Sequence, residues 1–332
     1  MHAVHLTAFG NPIEGLHHVE IPEPGAPGAQ QALIQVEYSP INMSDLLLAL
    51  GIYAFRPQLP SVIGGEGVGT ILAVGDGVKN VQVGDRVTIP FGTFAWAQRI
   101  LAPVENLFVV SPRIDVKQAA MLTINPPTAV LLLDDIVHLK AGEWVVLNAA
   151  NGGVGRGVIA VAKARRLKTV SIVRRKELAA ELEAAGSEVV LVDSPELVAQ
   201  VKRATGGAAI RLGLDGIAGT ATDVLSKLVT SSGTVVVYAG MSGQPVTVNP
   251  VELAFKQVSI RGFFMYHPDN VPKLRAAMTE GVALMAAGRL NVPIAATYPL
   301  IAIRDAIAHV QRGGKVLLDF EARPPRTGSA DW

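Results

Sequence analysis

Along the first third of the chain, apolar and polar residues alternate in short runs. Ala32 to Tyr38 has a period of two, and Gly67 to Val74 and Asp85 to Ile89 are short apolar stretches bounded by turn residues. This pattern predicts an irregular β-rich region. From about Trp144 the texture changes. Trp144 to Leu147, Thr169 to Val173, Val189 to Val192, Ile210 to Leu214 and Thr234 to Tyr238 read as buried strands, with helical stretches such as Lys176 to Ala185 between them. Strands alternating with helices predict a parallel sheet with crossover connections. Val258 to Met265 reads as a further strand at a sheet edge, and about 269–287 as a helix. The region from Tyr298 to Phe320 mixes both characters, and Glu321 to Trp332 reads as a loose tail.

One loop stands out in this frame. Ala150-Asn151-Gly152-Gly153-Val154-Gly155 follows a predicted strand and opens a predicted helix. It fits the dinucleotide fingerprint, with Ala at the first glycine position. Gly152 permits close approach of the backbone to a pyrophosphate. Gly155 permits the helix to pack against the strand. The helix N-terminus offers free N–H groups and partial positive charge to phosphates. Asn151, Gly153 and Val154 complete the expected cofactor contact. The alternative is a Gly-rich turn in another α/β fold.

The end of the next strand distinguishes the cofactor. NAD-binding versions place an acidic residue about twenty residues on, to hold the ribose 2′-hydroxyl. Here the chain reads Val173-Arg174-Arg175-Lys176. The planar guanidinium suits a phosphate, so Arg174 and Arg175 predict a 2′-phosphate and hence NADPH. The competing reading is a solvated basic helix start, although a helix N-terminus disfavours cations.

Composition narrows the rest. A chain of 332 residues with 49% hydrophobic and 17% charged residues is globular and long enough for two domains. A net charge of +1 gives no support for nucleic-acid or membrane-surface binding. With no cysteine, disulfides, thiolate metal sites and a catalytic thiol are excluded. The seven histidines show no metal-ligand spacing. No signal peptide and no apolar run of transmembrane length are legible, which predicts a cytoplasmic protein.

Further segments carry a resemblance. Gly64-Gly65-Glu66-Gly67-Val68-Gly69, Val83-Gly84-Asp85-Arg86-Val87 and the Gly-Gly-Val-Gly loop, in that order, resemble the medium-chain dehydrogenase/reductase superfamily from Met1 to about Phe320. The similarity is to its zinc-free branch of quinone oxidoreductases and 2-enoyl thioester reductases. It implies an α/β protein: a GroES-like β-rich catalytic domain over 1–120, completed by about 288–332, and a Rossmann NADPH-binding domain with a doubly wound parallel sheet over 121–287. Zinc members carry a His where this chain has Gly65, and a ligand Cys that Ile41-Asn42-Met43-Ser44-Asp45 lacks. Glu66 alone cannot hold zinc, which needs three or four ligands, and reads as a structural carboxylate. Without a Lewis acid, substrates that already accept hydride are favoured.

Asn42-Met43-Ser44-Asp45 followed by Gly51-Ile52-Tyr53 resembles the Asn-Pro-Ser-Asp and Gly-x-Tyr segments of enoyl thioester reductases, with Met43 in place of Pro. The resemblance implies that Tyr53 donates a hydrogen bond or proton to an enolate; the plain alternative is a ring packed in a loop. Asn42 is either a polar partner near the nicotinamide or substrate, or an Asx-turn residue. Thr128, in Asn125-Pro126-Pro127-Thr128-Ala129, either touches the nicotinamide carboxamide or caps a helix. Lys315 resembles a cofactor-contacting lysine, or is solvated after its Gly-Gly turn. Phe263 and Phe264 resemble a substrate-pocket stretch, or are core or interface residues.

The implied function is an NADPH-dependent reductase transferring hydride to the activated C=C of an α,β-unsaturated carbonyl (2-enoyl thioester, enone or related enoate). Quinone reduction is the alternative on the same scaffold, and a non-catalytic NADPH-binding sensor the alternative of another class. The expected partners are a small-molecule substrate and a second copy in a homodimer, with no nucleic acid and no membrane.

Overall fold

In the strand Gln31–Pro40, Ala32, Ile34 and Val36 are fully buried while Leu33, Gln35 and Glu37 are partly exposed, the period of two seen in the sequence. A computed structural model describes residues 1–321; of the predicted tail, everything after Glu321 lies outside the described residues. The chain forms two compact units, one from Met1–Ile124 together with the segment from Pro293 onward, the other from Asn125–Val292.

In the first unit the long strand Gln31–Pro40 is the hub. It pairs antiparallel with Gly67–Val74, with Arg99–Pro103 and with the late strand Lys315–Asp319. Gly67–Val74 pairs in turn with Arg86–Ile89, and Ile294–Pro299 joins Lys315–Asp319 in parallel. A smaller sheet joins His2–Leu6 to Leu16–Glu20 and Ser61–Val62. Trp96, Leu6, Leu16, Ile34, Ile63 and Ile89 lie in the core of this unit. Chain closure through Lys315–Asp319 has a local consequence: Leu317 pairs with Pro40, and the Ile41 N–H donates to the Val316 carbonyl at 3.0 Å. Lys315 therefore sits beside Asn42, far from it in sequence.

The second unit is built on a six-stranded parallel sheet. Its strands are, in chain order, Trp144–Leu147, Lys168–Val173, Val189–Val192, Ile210–Asp215, Thr234–Val237 and Ser259–Gly262. In space they run third, second, first, fourth, fifth, sixth, the doubly wound Rossmann order. The inner strands Trp144–Leu147 and Lys168–Val173 are buried along nearly their whole length, as strands covered on both faces are, whereas the edge strand Ser259–Gly262 is largely exposed.

Three elements differ from the sequence expectation. Within the first third, read as irregular and β-rich, the chain forms the helix Met43–Leu50, closed by Gly51 at φ 77°. Short helices inside a β-rich region carry too few turns for a periodicity signal. The helix expected from Lys176 begins as a 3-10 turn, Lys176–Leu178, before Ala179–Ala185. The edge strand expected over Val258 to Met265 is only Ser259–Gly262. One more ladder bond, from Phe263 N–H to the Val237 carbonyl at 3.0 Å, ends it, and the chain then turns, with His267 N–H donating to the Phe264 carbonyl.

Candidate active site

The nucleotide loop lies in the second unit. Its helix, Gly153–Ala164, starts at Gly152, which gives the first turn no side-chain cap. The first-turn N–H groups are thus left for an external acceptor. A Cβ on Gly155 would stand 2.5 Å from the Ala150 carbonyl oxygen and 2.6 Å from its Cα. Neither backbone atom can yield, so only glycine allows helix and loop to pack here. A Cβ on Gly152 would meet only the Ala149 carbonyl oxygen, at 3.2 Å. Arg156 reaches from the helix to the Asn151 carbonyl at 3.1 Å and to Glu181 at 2.7 Å, tying the loop to the following crossover. Asn151 and Gly152 are exposed, and Gly153 and Val154 partly so.

Below the loop lies a network that sequence reasoning missed. Asp215, at the end of its strand and fully buried, accepts from Asn148 Nδ2 at 2.7 Å, from the N–H groups of Ile217 and Ala218 at 2.9 Å each, and from Thr222 Oγ1. Asn148 Oδ1 accepts from Gly216 N–H at 2.8 Å. These bonds lock the carboxyl ends of two adjacent strands, where an open parallel sheet binds its ligand. A polar residue closing the apolar run Ile210–Asp215 was the available signal.

Arg174 and Arg175 follow the strand Lys168–Val173, both exposed, and neither makes an ion pair among the described residues. Two guanidinium groups without a carboxylate partner suit a phosphate. Thr128 lies in the helix Asn125–Asp134 rather than capping it. It is buried, with Oγ1 3.2 Å from Met265 Sδ. Phe263 is half-buried and Phe264 is 39% exposed, its ring edge-on to Tyr266.

In the first unit, Asn42 joins two charged groups. Its Nδ2 donates to Glu66 Oε1 at 2.9 Å, and its Oδ1 accepts from Lys315 Nζ at 2.7 Å. It also opens the helix Met43–Leu50, with its own N–H held by Asp45 Oδ2 at 2.8 Å. Asn42 thus stands at a helix start, and its side chain also bridges across the fold to Glu66 and Lys315. Lys315 is not a solvated lysine either, because pairing of its strand beside Pro40 carries the ammonium onto Asn42.

Glu66 is fully buried, and its other carboxylate oxygen accepts from the Thr123 N–H, Thr123 Oγ1 and the Ile124 N–H at 3.0–3.1 Å. Its carbonyl takes Ser39 Oγ, which in turn accepts from Trp96 Nε1 at 3.0 Å. Gly64, at φ 107°, has no room for a side chain against that indole, since a Cβ would lie 2.3 Å from Trp96 Cδ1. Asp45 Oδ1 accepts from Gly65 N–H at 2.8 Å. Two buried carboxylates thus stand near one ammonium. Burial pushes Asp45 up to about 7, aided by the charge of Glu66 and opposed by its two backbone donors and Lys315. Burial also pushes Glu66 up, against the pull of Lys315 and its hydrogen-bond donors, and pushes Lys315 down.

Tyr53 follows this helix. Its ring meets Phe55 and Phe91 edge-on, with centroids 5.6 and 6.2 Å apart. With Asp45, Gly65, Phe91 and Phe94 it lines a narrow, mostly apolar cavity. Burial first, then the nearby Asp45, push its phenol up to about 12, so the hydroxyl keeps its proton across the neutral range. Within the first unit, Tyr53, Asn42 and Lys315 are gathered around Asp45. Within the second, the loop and the two arginines occupy successive strand ends.

Comparison with known proteins agrees with this architecture. Residues 28–103 match the alcohol dehydrogenase GroES-like domain, and residues 153–280 match the zinc-binding dehydrogenase family. A mitochondrial enoyl-[acyl-carrier-protein] reductase of Caenorhabditis elegans is 35% identical over 284 residues, 83% of this chain and 81% of that protein. The human enzyme of the same name is 34% identical, over 79% of this chain and 73% of its own length. The chain belongs to the medium-chain dehydrogenase/reductase superfamily, on its zinc-free branch. A mycobacterial structure complexed with NADPH superposes with a TM-score of 0.85 at 28% identity, covering 96% of this chain and all of that one. In this superfamily member the matched model's zinc chemistry has no cysteine to build on. Among the described residues no group of three or more His, Asp or Glu could hold a metal ion, and no helix is long and apolar enough to cross a membrane.

Proposed function

We propose that this protein is an NADPH-dependent reductase that saturates the activated double bond of a 2-enoyl thioester or related enoate. The observation that carries the reading is Tyr53: a phenol held in its protonated form at the wall of a narrow cavity in the catalytic unit. The curated relatives, named as enoyl-[acyl-carrier-protein] reductases, and the relative solved with NADPH support it.

The residues present fit NADPH. Gly152 leaves the helix N-terminus uncapped for a pyrophosphate, Gly155 lets the loop lie flat on its helix, and Arg174 and Arg175 offer unengaged guanidinium groups to a 2′-phosphate. Bound NADPH would supply the hydride to the β-carbon. Tyr53 donates a hydrogen bond to the carbonyl oxygen, on which enolate charge grows, or gives its proton to the enolate and regains one from solvent. Asn42 and Lys315 are positioning residues: they fix Glu66 and the start of the helix on which Tyr53 depends. Thr128, Phe263 and Phe264 remain candidate cofactor and substrate contacts.

NADPH oxidation assayed with crotonyl-CoA tests the proposal, and Tyr53→Phe is expected to lower turnover about 10²–10³-fold. A variant within twofold of wild type removes Tyr53 from this role. One observation favours quinone reduction as a second reading: the edge-on rings of Tyr53, Phe55 and Phe91 offer apolar walls to a flat ring. On that reading a simple quinone is the better acceptor and Tyr53→Phe is nearly silent.

A homodimer belongs to the same proposal. The edge strand Ser259–Gly262 leaves Ser259, Arg261 and Gly262 exposed, with Phe255 82% exposed and Val251 and Leu253 exposed in the same unit. An open strand edge and exposed apolar side chains in one unit suit a second copy paired about a two-fold axis. Sedimentation equilibrium giving a monomer refutes it. The cysteine-free composition supports a cytoplasmic location, and cell fractionation decides between this and the mitochondrion of the named relatives.

A further inference from the structure

The cavity beside Tyr53 is small and closely walled. Its free volume is about 10 Å³, room for one group the size of a water molecule. Leu48, Phe91 and Phe94 form its apolar walls. Leu48 is buried on the helix Met43–Leu50. Phe55 backs both rings, its centroid 5.6 Å from that of Phe91 and 6.3 Å from that of Phe94. The side at Gly65 is equally full. A Cβ there would stand 3.1 Å from Ile124 Cδ1, 3.3 Å from Asp45 Oδ1 and 3.7 Å from Phe91 Cδ2. A wall of this cavity retreats only by displacing a packed neighbour.

Phe94 carries a second, independent observation. Its backbone sits at φ 58°, in the left-handed region that glycine takes freely and a residue with a Cβ takes rarely. Such conformations persist where the surrounding structure imposes them, and they gather at ligand-binding positions. Here the strained backbone brings an aromatic ring to the wall of the cavity that Tyr53 shares.

We propose that Phe91 and Phe94 are specificity-determining residues that close the site to all but short acyl groups, of about four carbons. The inference rests on the enoyl-reductase reading of this site and narrows its substrate class to short-chain 2-enoyl thioesters. When the carbonyl oxygen of an enoyl group meets the Tyr53 hydroxyl, the γ-carbon lies only three bonds beyond the carbonyl carbon. The cavity receives that carbon as a methyl group, and each further methylene runs into the rings of Phe91 and Phe94. Filling a methyl-sized hole gains dispersion contact on every side. Overfilling it forces packed side chains off their rotamers.

The test is kcat/KM with NADPH across crotonyl-CoA, trans-2-hexenoyl-CoA and trans-2-decenoyl-CoA. Wild type should fall about tenfold or more from crotonyl to hexenoyl, and further at decenoyl. Phe94→Gly removes the ring and the backbone strain together, and should raise the hexenoyl-to-crotonyl ratio about tenfold. Phe91→Leu reads the same ratio should Phe94→Gly fail to fold. A ratio is the right readout because a general loss of active enzyme lowers both substrates alike and leaves it unmoved. Wild type equally active on all three thioesters overturns the proposal, and so does a ratio that no folded variant shifts. In either case crotonyl-CoA is still reduced, so the enoyl-reductase reading stands and this inference fails alone. No turnover of any of the three, with a simple quinone reduced, sinks that reading and this inference with it.

Discussion

The loop at Asn151–Gly155 and the cluster around Asn42 are both sites, but they are made in opposite ways. The loop is five consecutive residues whose conformation follows from glycine at the tight contacts, and its polar groups are backbone N–H left open at a helix start. The cluster draws Asn42, Asp45, Glu66, Thr123 and Lys315 from four distant stretches. Its polar groups are side chains that satisfy one another almost completely. The first is prepared to receive charge from outside. The second manages charge already inside, two carboxylates against one ammonium, where low dielectric makes each member costly without the others.

Breaking the cluster should therefore disturb the fold, and breaking the nucleotide contact should disturb only binding. Lys315→Met tests the first half. It removes the cation facing Asp45 and Glu66, and a loss of about 3 kcal/mol in urea unfolding is expected. If instead stability holds and NADPH affinity alone falls, Lys315 belongs with the cofactor contacts. Arg174→Ala tests the second half. Its side chain is exposed and makes no ion pair among the described residues, so the melting temperature should not move. NADPH binding should weaken by about 1.5–3 kcal/mol, the usual worth of a charged hydrogen bond. NADH binding should be unaffected; equal losses for both would refute the 2′-phosphate assignment.

The smallest effect sharpens the contrast through pH. Asp45 has an ordinary value of 3.8 and is pushed up to about 7 by burial. Between those values the folded protein keeps a proton that the unfolded chain releases. The contribution of this group to stability is thus full below pH 4, falls as pH rises toward 7, and is constant above. Urea midpoints compared at pH 5 and pH 8 should show wild type losing more than Asp45→Asn, by at most a few kcal/mol. Parallel losses in the two proteins would show that Asp45 keeps its charge. No such slope is expected from the nucleotide loop, which holds no buried carboxylate of that kind.

Legibility in the sequence follows the same division. The five Rossmann strands from Trp144 to Tyr238, the Gly-rich loop and the cations after Val173 were all readable. Each is a contiguous pattern whose meaning depends on a few neighbours. The helix Met43–Leu50 was not, because eight residues in a β-rich region give no clear period. Nor was the fate of Asn42: a local Asx turn and a bridge to Glu66 and Lys315 start from the same residue. The network of Asn148 and Asp215 escaped because its meaning lies in the pairing of two strands.

Glycines and arginines at set distances from a strand specify the cofactor class before any folding is considered. The want of any cysteine in the sequence also excludes thiolate chemistry. What surrounds the reacting group depends on the folded chain. Lys315 reaches Asn42 because a late strand closes on an early one, and the Asp45 carboxyl is pushed up because packing removes water from it. Proximity and desolvation arise from chain segments meeting, and a one-dimensional pattern encodes neither until the chain has folded.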